Sequence, residues 1–159
     1  MYQINIFNNQ KVFTLGINLD RLRRVLKCIL RKERGPSGLF NFIFVDNREI
    51  RRLNRRYLGR NRITDVIAFP LADNCDNIKG EVVVSVEEAR RQSRRRNIPL
   101  NDEIALYCIH GLLHLIGYDD LAESERIKME RRQSEYLKMM AATSSVPRAG
   151  RRGFRRRSS

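Results

Sequence analysis

Residues 2–7, YQINIF, alternate polar and apolar side chains, the period of a half-buried strand. From Leu19 the period changes: Leu22, Val25, Leu26, Ile29 and Leu30 recur at intervals of three and four, which predicts an amphipathic helix ended by Gly35-Pro36. The unbroken apolar run LFNFIFV (39–45) predicts a buried strand. Asp46 and Glu49 then form a D-x-x-E capping box for a short basic helix with Ile50, Leu53 and Tyr57 on one side. LGRNRIT reads as a loop, DVIAFP as a short strand closed by Pro70, and the polar stretch Ala72 to Lys79 as a turn.

GEVVVS (80–85) is the fourth predicted strand. Ser85 and Glu88 make a second capping box, opening a helix whose outer side is RRQSRRR (90–96), and NIP stops it. From Asn101 to about Ile116 a helix is apolar nearly all round, through Ile104, Ala105, Cys108, Ile109, Leu112, Leu113 and Leu115, so it belongs in a core. Gly117 suits its left-handed terminus. A last helix, from Ala122 to Met140, is polar and weakly patterned. The order β-α-β-α-β-β-α-α-α predicts one α+β domain, a four-stranded mixed β-sheet covered by about five α-helices, over residues 1–142. Residues 143–159, rich in Ser, Pro, Gly and Arg, predict a disordered basic tail.

Charge adds the first functional constraint. The 159 residues carry 32 Lys+Arg against 18 Asp+Glu, a formal net charge of +14. Arg148, Arg151, Arg152, Arg155, Arg156 and Arg157 account for +6 of it, leaving +8 on the rest. A polyanionic partner is expected, and the preference for arginine suits forked contacts to phosphate. No apolar run approaches the length of a membrane span, and the N-terminus lacks the pattern of a signal peptide, so a cytoplasmic location without a membrane partner is expected. Cys28, Cys75 and Cys108 are an odd number at wide spacing and read as reduced structural residues.

The chain's two histidines stand in HGLLHLIGYDD (110–120). Four residues apart on a helix, His110 and His114 project side by side from one face and form a chelating pair. A chain that turns back at Gly117 can bring Asp119 or Asp120 to the same face as a third ligand. The competing reading is a pair of hydrogen-bonded structural histidines. The familiar zinc-peptidase pattern H-E-x-x-H is disfavoured, because Gly111 occupies the general-base position and has no group to move a proton. A metal-activated water in a basic protein points instead to phosphodiesters, with arginines offsetting the charge that builds in the transition state.

HGLLHLIGYDD, with LNRRYLGRNRITDVIAFP (53–70) and GEVVVS, resembles the bacterial YbeY endoribonucleases over almost all of residues 1–140. The family signature, H-G-x-L-H-L-x-G-Y-D-H, is matched at every specified position but the last. The resemblance implies a YbeY-like mixed sheet with helices and a single-strand-specific, zinc-dependent endoribonuclease. It further implies a role in maturing the 3′ end of small-subunit ribosomal RNA and in ribosome quality control, with ribosomal RNA and the pre-ribosomal small subunit as partners.

The resemblance also implies metal ligation by His110, His114 and Asp120, with Asp120 replacing the family's third histidine. One zinc ion per chain is expected, and the anionic ligand opens the site to harder divalent ions. Where the family has an arginine important for activity this chain has Leu58, and two readings stand side by side: Arg56 or Arg60 reaches the same phosphate from a neighbouring backbone position, or the contact is lost. His114 and Arg60 are the candidate catalytic residues. Arg51, Arg52, Arg55, Arg56, Arg60 and Arg62 are the candidate RNA-binding residues, with the arginines of 90–96 beside them. Asn54, Tyr57, Thr64 and Asp65 match the family pattern but also suit local caps and turns, and Asp119 is expected to shape the turn. The rival function is a non-catalytic ribosome-assembly protein that binds ribosomal RNA and keeps a structural or vestigial metal.

Overall fold

The computed structural model describes residues 1–71 and 77–142. Cys75, most of the expected turn at 72–79 and the basic tail lie outside the described residues. The elements follow the expected order: β1 (Tyr2–Asn8), α1 (Leu19–Lys32), β2 (Gly38–Val45), α2 (Asn47–Leu58), β3 (Val66–Pro70), β4 (Ile78–Ser85), α3 (Val86–Arg96), α4 (Leu100–Leu115) and α5 (Glu123–Ala142).

The strands form one sheet in the order β1-β2-β4-β3. Helical crossovers make β1–β2 and β2–β4 parallel, whereas β3 runs antiparallel to β4 along the open edge. Alternation along the strands sends Ile4, Phe40, Phe42, Phe44, Val82 and Val84 to one face, under α1, α4 and α5. Val45, Ile67 and Val83 go to the other, against Ile50 of α2. Each fully buried Leu, Ile or Phe contributes about 1.5–3 kcal/mol, so the first face dominates stability. The apolar α4 lies inside it, touching β3, β4, α1, α3 and α5.

Local details depart from expectation for identifiable reasons. Helix α1 stops at Lys32, and Arg34, rather than Gly35, takes the positive φ of 52°. The Gly35 amide then donates to the Leu30 carbonyl at 2.9 Å, closing the terminus before Pro36. Both capping boxes are only half used: Asp46 and Ser85 accept from the Glu49 and Glu88 amides, while those glutamates turn outward to Arg52 and Arg91. Strand β4 begins at Ile78, two residues before the expected GEVVVS segment, because Ile78 pairs with Leu39 across a register shift. Helix α5 is an integral layer, with Met129, Tyr136 and Met140 buried in the main core.

Candidate metal centre

Gly111 lets α4 lie close to the sheet: a Cβ there would stand 2.5 Å from Val82 Cγ1. This close seating carries His110 and His114 to the open side of β3. After Leu115 the helix unwinds, with the Gly117 amide donating to the His114 carbonyl at 3.1 Å and the Tyr118 amide to the Leu113 carbonyl at 3.0 Å. Gly117 takes φ of +111°, beyond the left-handed helical basin but equally costly for a residue with a Cβ. The chain reverses there, and Asp120 faces the histidines.

The His110 and His114 rings stand 4.6 Å apart between centroids. Asp120 Oδ2 lies 4.0 Å from His110 Nε2 and 3.5 Å from His114 Nε2. Tetrahedral zinc with bonds of about 2.0–2.1 Å separates its ligand atoms by about 3.3 Å. The three residues, whose ligand atoms lie within 4.8 Å of one another, therefore fit a divalent ion once they draw together by up to about 1.5 Å. Asp119 takes another role: its Oδ1 accepts the Leu121 amide at 3.0 Å and shapes the turn.

Helix α5 supplies a residue that the reading of the sequence missed. His110 Nδ1 meets Gln133 Oε1 at 2.5 Å. A carbonyl oxygen only accepts, so this contact assigns the proton to Nδ1 and leaves the Nε2 lone pair facing Asp120. Burial pushes the His110 imidazole below its ordinary pKa, against the Gln133 hydrogen bond that raises it, and keeps it in the neutral form a metal requires. Met129, Gln133, Tyr136 and Met140 recur at four, three and four, a helical stripe whose polar member sits at the site. That spacing was the available signal.

The turn bearing Asp120 is tied to the body through Glu33, which caps α1. Its carboxylate accepts from Tyr118 Oη at 2.7 Å and Tyr136 Oη at 2.5 Å, and Arg132 Nε approaches at 3.5 Å. Burial, and then Glu33, raise both phenols above their ordinary pKa, so they remain donors at neutral pH. Three residues far apart in sequence thus join α1, α5 and the turn.

The predicted arginines divide by position. Arg60 and Arg62 line a cleft of about 490 Å³ together with Leu58, Asn54, Thr64, β3, His110 and His114. Buried Asn54 donates to the Arg62 carbonyl at 3.0 Å and accepts the Arg60 amide on its own carbonyl, pinning the loop that carries both cations. Arg51 bonds Asn61, Arg52 pairs with Glu49 beside a separate groove, and Arg55 and Arg56 are exposed on α2. Neither Arg51, Arg55 nor Arg56 lines the cleft with the histidines. Tyr57 packs edge-on against Phe69, and Asp65 accepts from Thr64 Oγ1 and the Val66 amide. In the basic run of α3, Arg90 stacks on Phe13, Arg91 pairs with Glu88, and Arg96 pairs with fully buried Glu103 at 3.0 Å. Arg96 also borders the far side of His110.

Comparison with known proteins assigns the family. The family model described as Endoribonuclease YbeY matches residues 5–141. The chain belongs to the YbeY family. A curated relative from Syntrophus aciditrophicus, named Endoribonuclease YbeY, is 40% identical over 121 residues, covering 73% of this chain and 74% of its own. One of the same name from Alkaliphilus metalliredigens is 39% identical over 144 residues, covering 85% and 93%. The solution structure of TM1509 from Thermotoga maritima aligns with a TM-score of 0.66 at 30% identity, over 96% of this chain and 100% of that one.

Proposed function

We propose that this chain is a metal-dependent, single-strand-specific endoribonuclease acting on ribosomal RNA precursors. One observation carries the reading: His110 and His114, which gather with Asp120 into one ligand cluster, line the cleft that also holds Arg60 and Arg62. Zinc is the proposed metal, with the Asp120 oxygen drawing the site toward harder ions such as manganese. A divalent ion held by these residues would supply Lewis-acid polarisation of the scissile phosphate and lower the pKa of a water.

The chain's own groups do the rest. Gln133 holds the His110 tautomer, and Glu33 restrains the turn that presents Asp120. Arg60 and Arg62 bind phosphate oxygens and offset the charge that develops on the scissile group. Leu58 reaches the same cleft but carries no charge, so the role of the family arginine falls to Arg60. Phosphate contacts of this kind position RNA without reading its sequence. The proposed partners are ribosomal RNA and the precursor small subunit, and the proposed place of action is the cytoplasm. No helix among the described residues is long and apolar enough to cross a membrane.

The second reading, a ribosomal RNA-binding assembly factor with a vestigial metal, draws on Leu58 and Asp120. Metal analysis of protein expressed without a histidine tag separates the two when His114→Ala and Asp120→Ala are examined alongside. The nuclease reading expects about one equivalent of metal in the wild type, and loss of metal together with loss of precursor processing in cells for His114→Ala. A metal-free His114→Ala variant that still supports processing assigns the binding role instead.

A further inference from the structure

The unpaired side of β3 faces the candidate metal centre. The Ser85 amide donates to the Asp65 carbonyl at 2.9 Å, and the Leu71 amide to the Lys79 carbonyl at 3.1 Å. In the register that pairs Val66 with Val84 and Pro70 with Gly80, these bonds turn the backbone groups of residues 65, 67, 69 and 71 toward β4. By the alternation of an antiparallel ladder, those of Val66, Ala68 and Pro70 point away from it. All three line the cleft that holds His110, His114, Arg60 and Arg62.

This outward row has been thinned. The Val66 amide is taken by Asp65 Oδ1 at 2.8 Å, and Pro70 has no N–H. Ala68 is left with the one outward N–H that β3 can offer a ligand, next to its own outward C=O. An added peptide strand needs donors and acceptors repeating along an edge, and this edge supplies one donor. A single N–H beside the C=O of the same residue instead complements the Watson–Crick edge of a nucleobase, for example O4 and N3–H of uracil.

The geometry points to Ala68, on the open edge of β3, as a docking point that takes one unpaired base by its Watson–Crick edge while Arg60 and Arg62 hold neighbouring phosphates. The inference rests on the ribonuclease reading and extends it. A base within a duplex has that edge occupied, so the contact gives a physical reason for excluding paired RNA. Every base carries an adjacent donor and acceptor, so the contact is tolerant of sequence.

The test compares a short oligouridylate with the same oligomer N3-methylated at every uracil. Methylation removes the donor and blocks the edge, while the phosphates and the base face remain. Metal-loaded full-length wild type is expected to bind the methylated oligomer about fivefold more weakly, the scale of one hydrogen bond. Ala68→Pro deletes only an outward N–H, on a side of an edge strand where proline is accommodated; the carbonyl of residue 68 still accepts N3–H, so this variant is expected to bind the unmodified oligomer more weakly than wild type and to discriminate less between the two. Metal content and circular dichroism report whether that variant is folded. If it is not, the two oligomers on the wild type still decide.

Equal binding of both oligomers by the wild type, full discrimination by folded Ala68→Pro, or displacement of the oligomer by an extended peptide overturns the docking point while leaving the ribonuclease intact. Wild type that neither binds nor cuts unmodified oligouridylate overturns the ribonuclease reading and the docking point together.

Discussion

Gln133 shows how one neutral side chain tunes a charged site. By accepting at Nδ1 it fixes which nitrogen of His110 faces Asp120, and metal-binding histidines are generally oriented by such a partner. Gln133→Leu keeps the side chain's approximate size but removes the acceptor. Affinity for zinc, measured by competition with a chromophoric chelator, is expected to fall roughly 10–100-fold with the fold unchanged. Unaltered affinity would mean that packing alone orients the imidazole. Asp120 would act in a different way: in the proposed ligand set it would add a negative charge beside the two neutral imidazoles, making the site a harder one and a bound ion a weaker Lewis acid.

At the scale of elements, the seating of α4 on β4 depends on Gly111. An added methyl at that position meets Val82, a buried side chain with little room to yield. Overpacking of this kind costs about 1–3 kcal/mol, against a helix-propensity gain of about 1 kcal/mol. Gly111→Ala is therefore expected to lower the denaturant midpoint. Val82→Ala in the same background should restore part of the loss, seen as favourable coupling in a double-mutant cycle. Additive effects would show that the two residues do not meet.

The same helix shows what the sequence made legible. Its apolar circumference and the i, i+4 histidines were readable because helical period and chelation are both local. The reversal at Gly117 was readable because few residues other than glycine take that backbone. Glu33 was not, since its partners Tyr118 and Tyr136 lie 85 and 103 residues away. The inward stripe of α5 was present but diluted by the charged residues between its members. Periodicity could not say which arginines reach the cleft, because that depends on how buried Asn54 folds the loop after α2.

For the whole molecule, the net charge of +14 draws it to polyanions, while acid sensitivity centres on the candidate site. Burial holds the His110 imidazole below its ordinary value of 6.5. In metal-free protein the unfolded chain therefore takes up this proton at a higher pH than the fold does. Stability is fully present above 6.5 and is lost as the pH falls through 6.5 toward the folded value. Thermal unfolding of metal-free protein at neutral pH and at about pH 5.5 is expected to show a larger drop in Tm for wild type than for His110→Gln, and equal drops would contradict this. Hydrogen bonds from Arg52 to Glu49 and from Arg91 to Glu88 hold those carboxyls below 4.5. Their contributions are present above 4.5 and fade only below it, outside the compared range.

The central claim joins metal to RNA cleavage at one place. Untagged protein stripped by a chelator should be titrated with zinc, and in parallel with manganese, while cleavage of a single-stranded ribosomal RNA fragment is followed. The account predicts no cleavage without metal, recovery that saturates near one equivalent, and no recovery in His114→Ala. Cleavage that survives chelation, or an intact RNA at saturating metal, would contradict it.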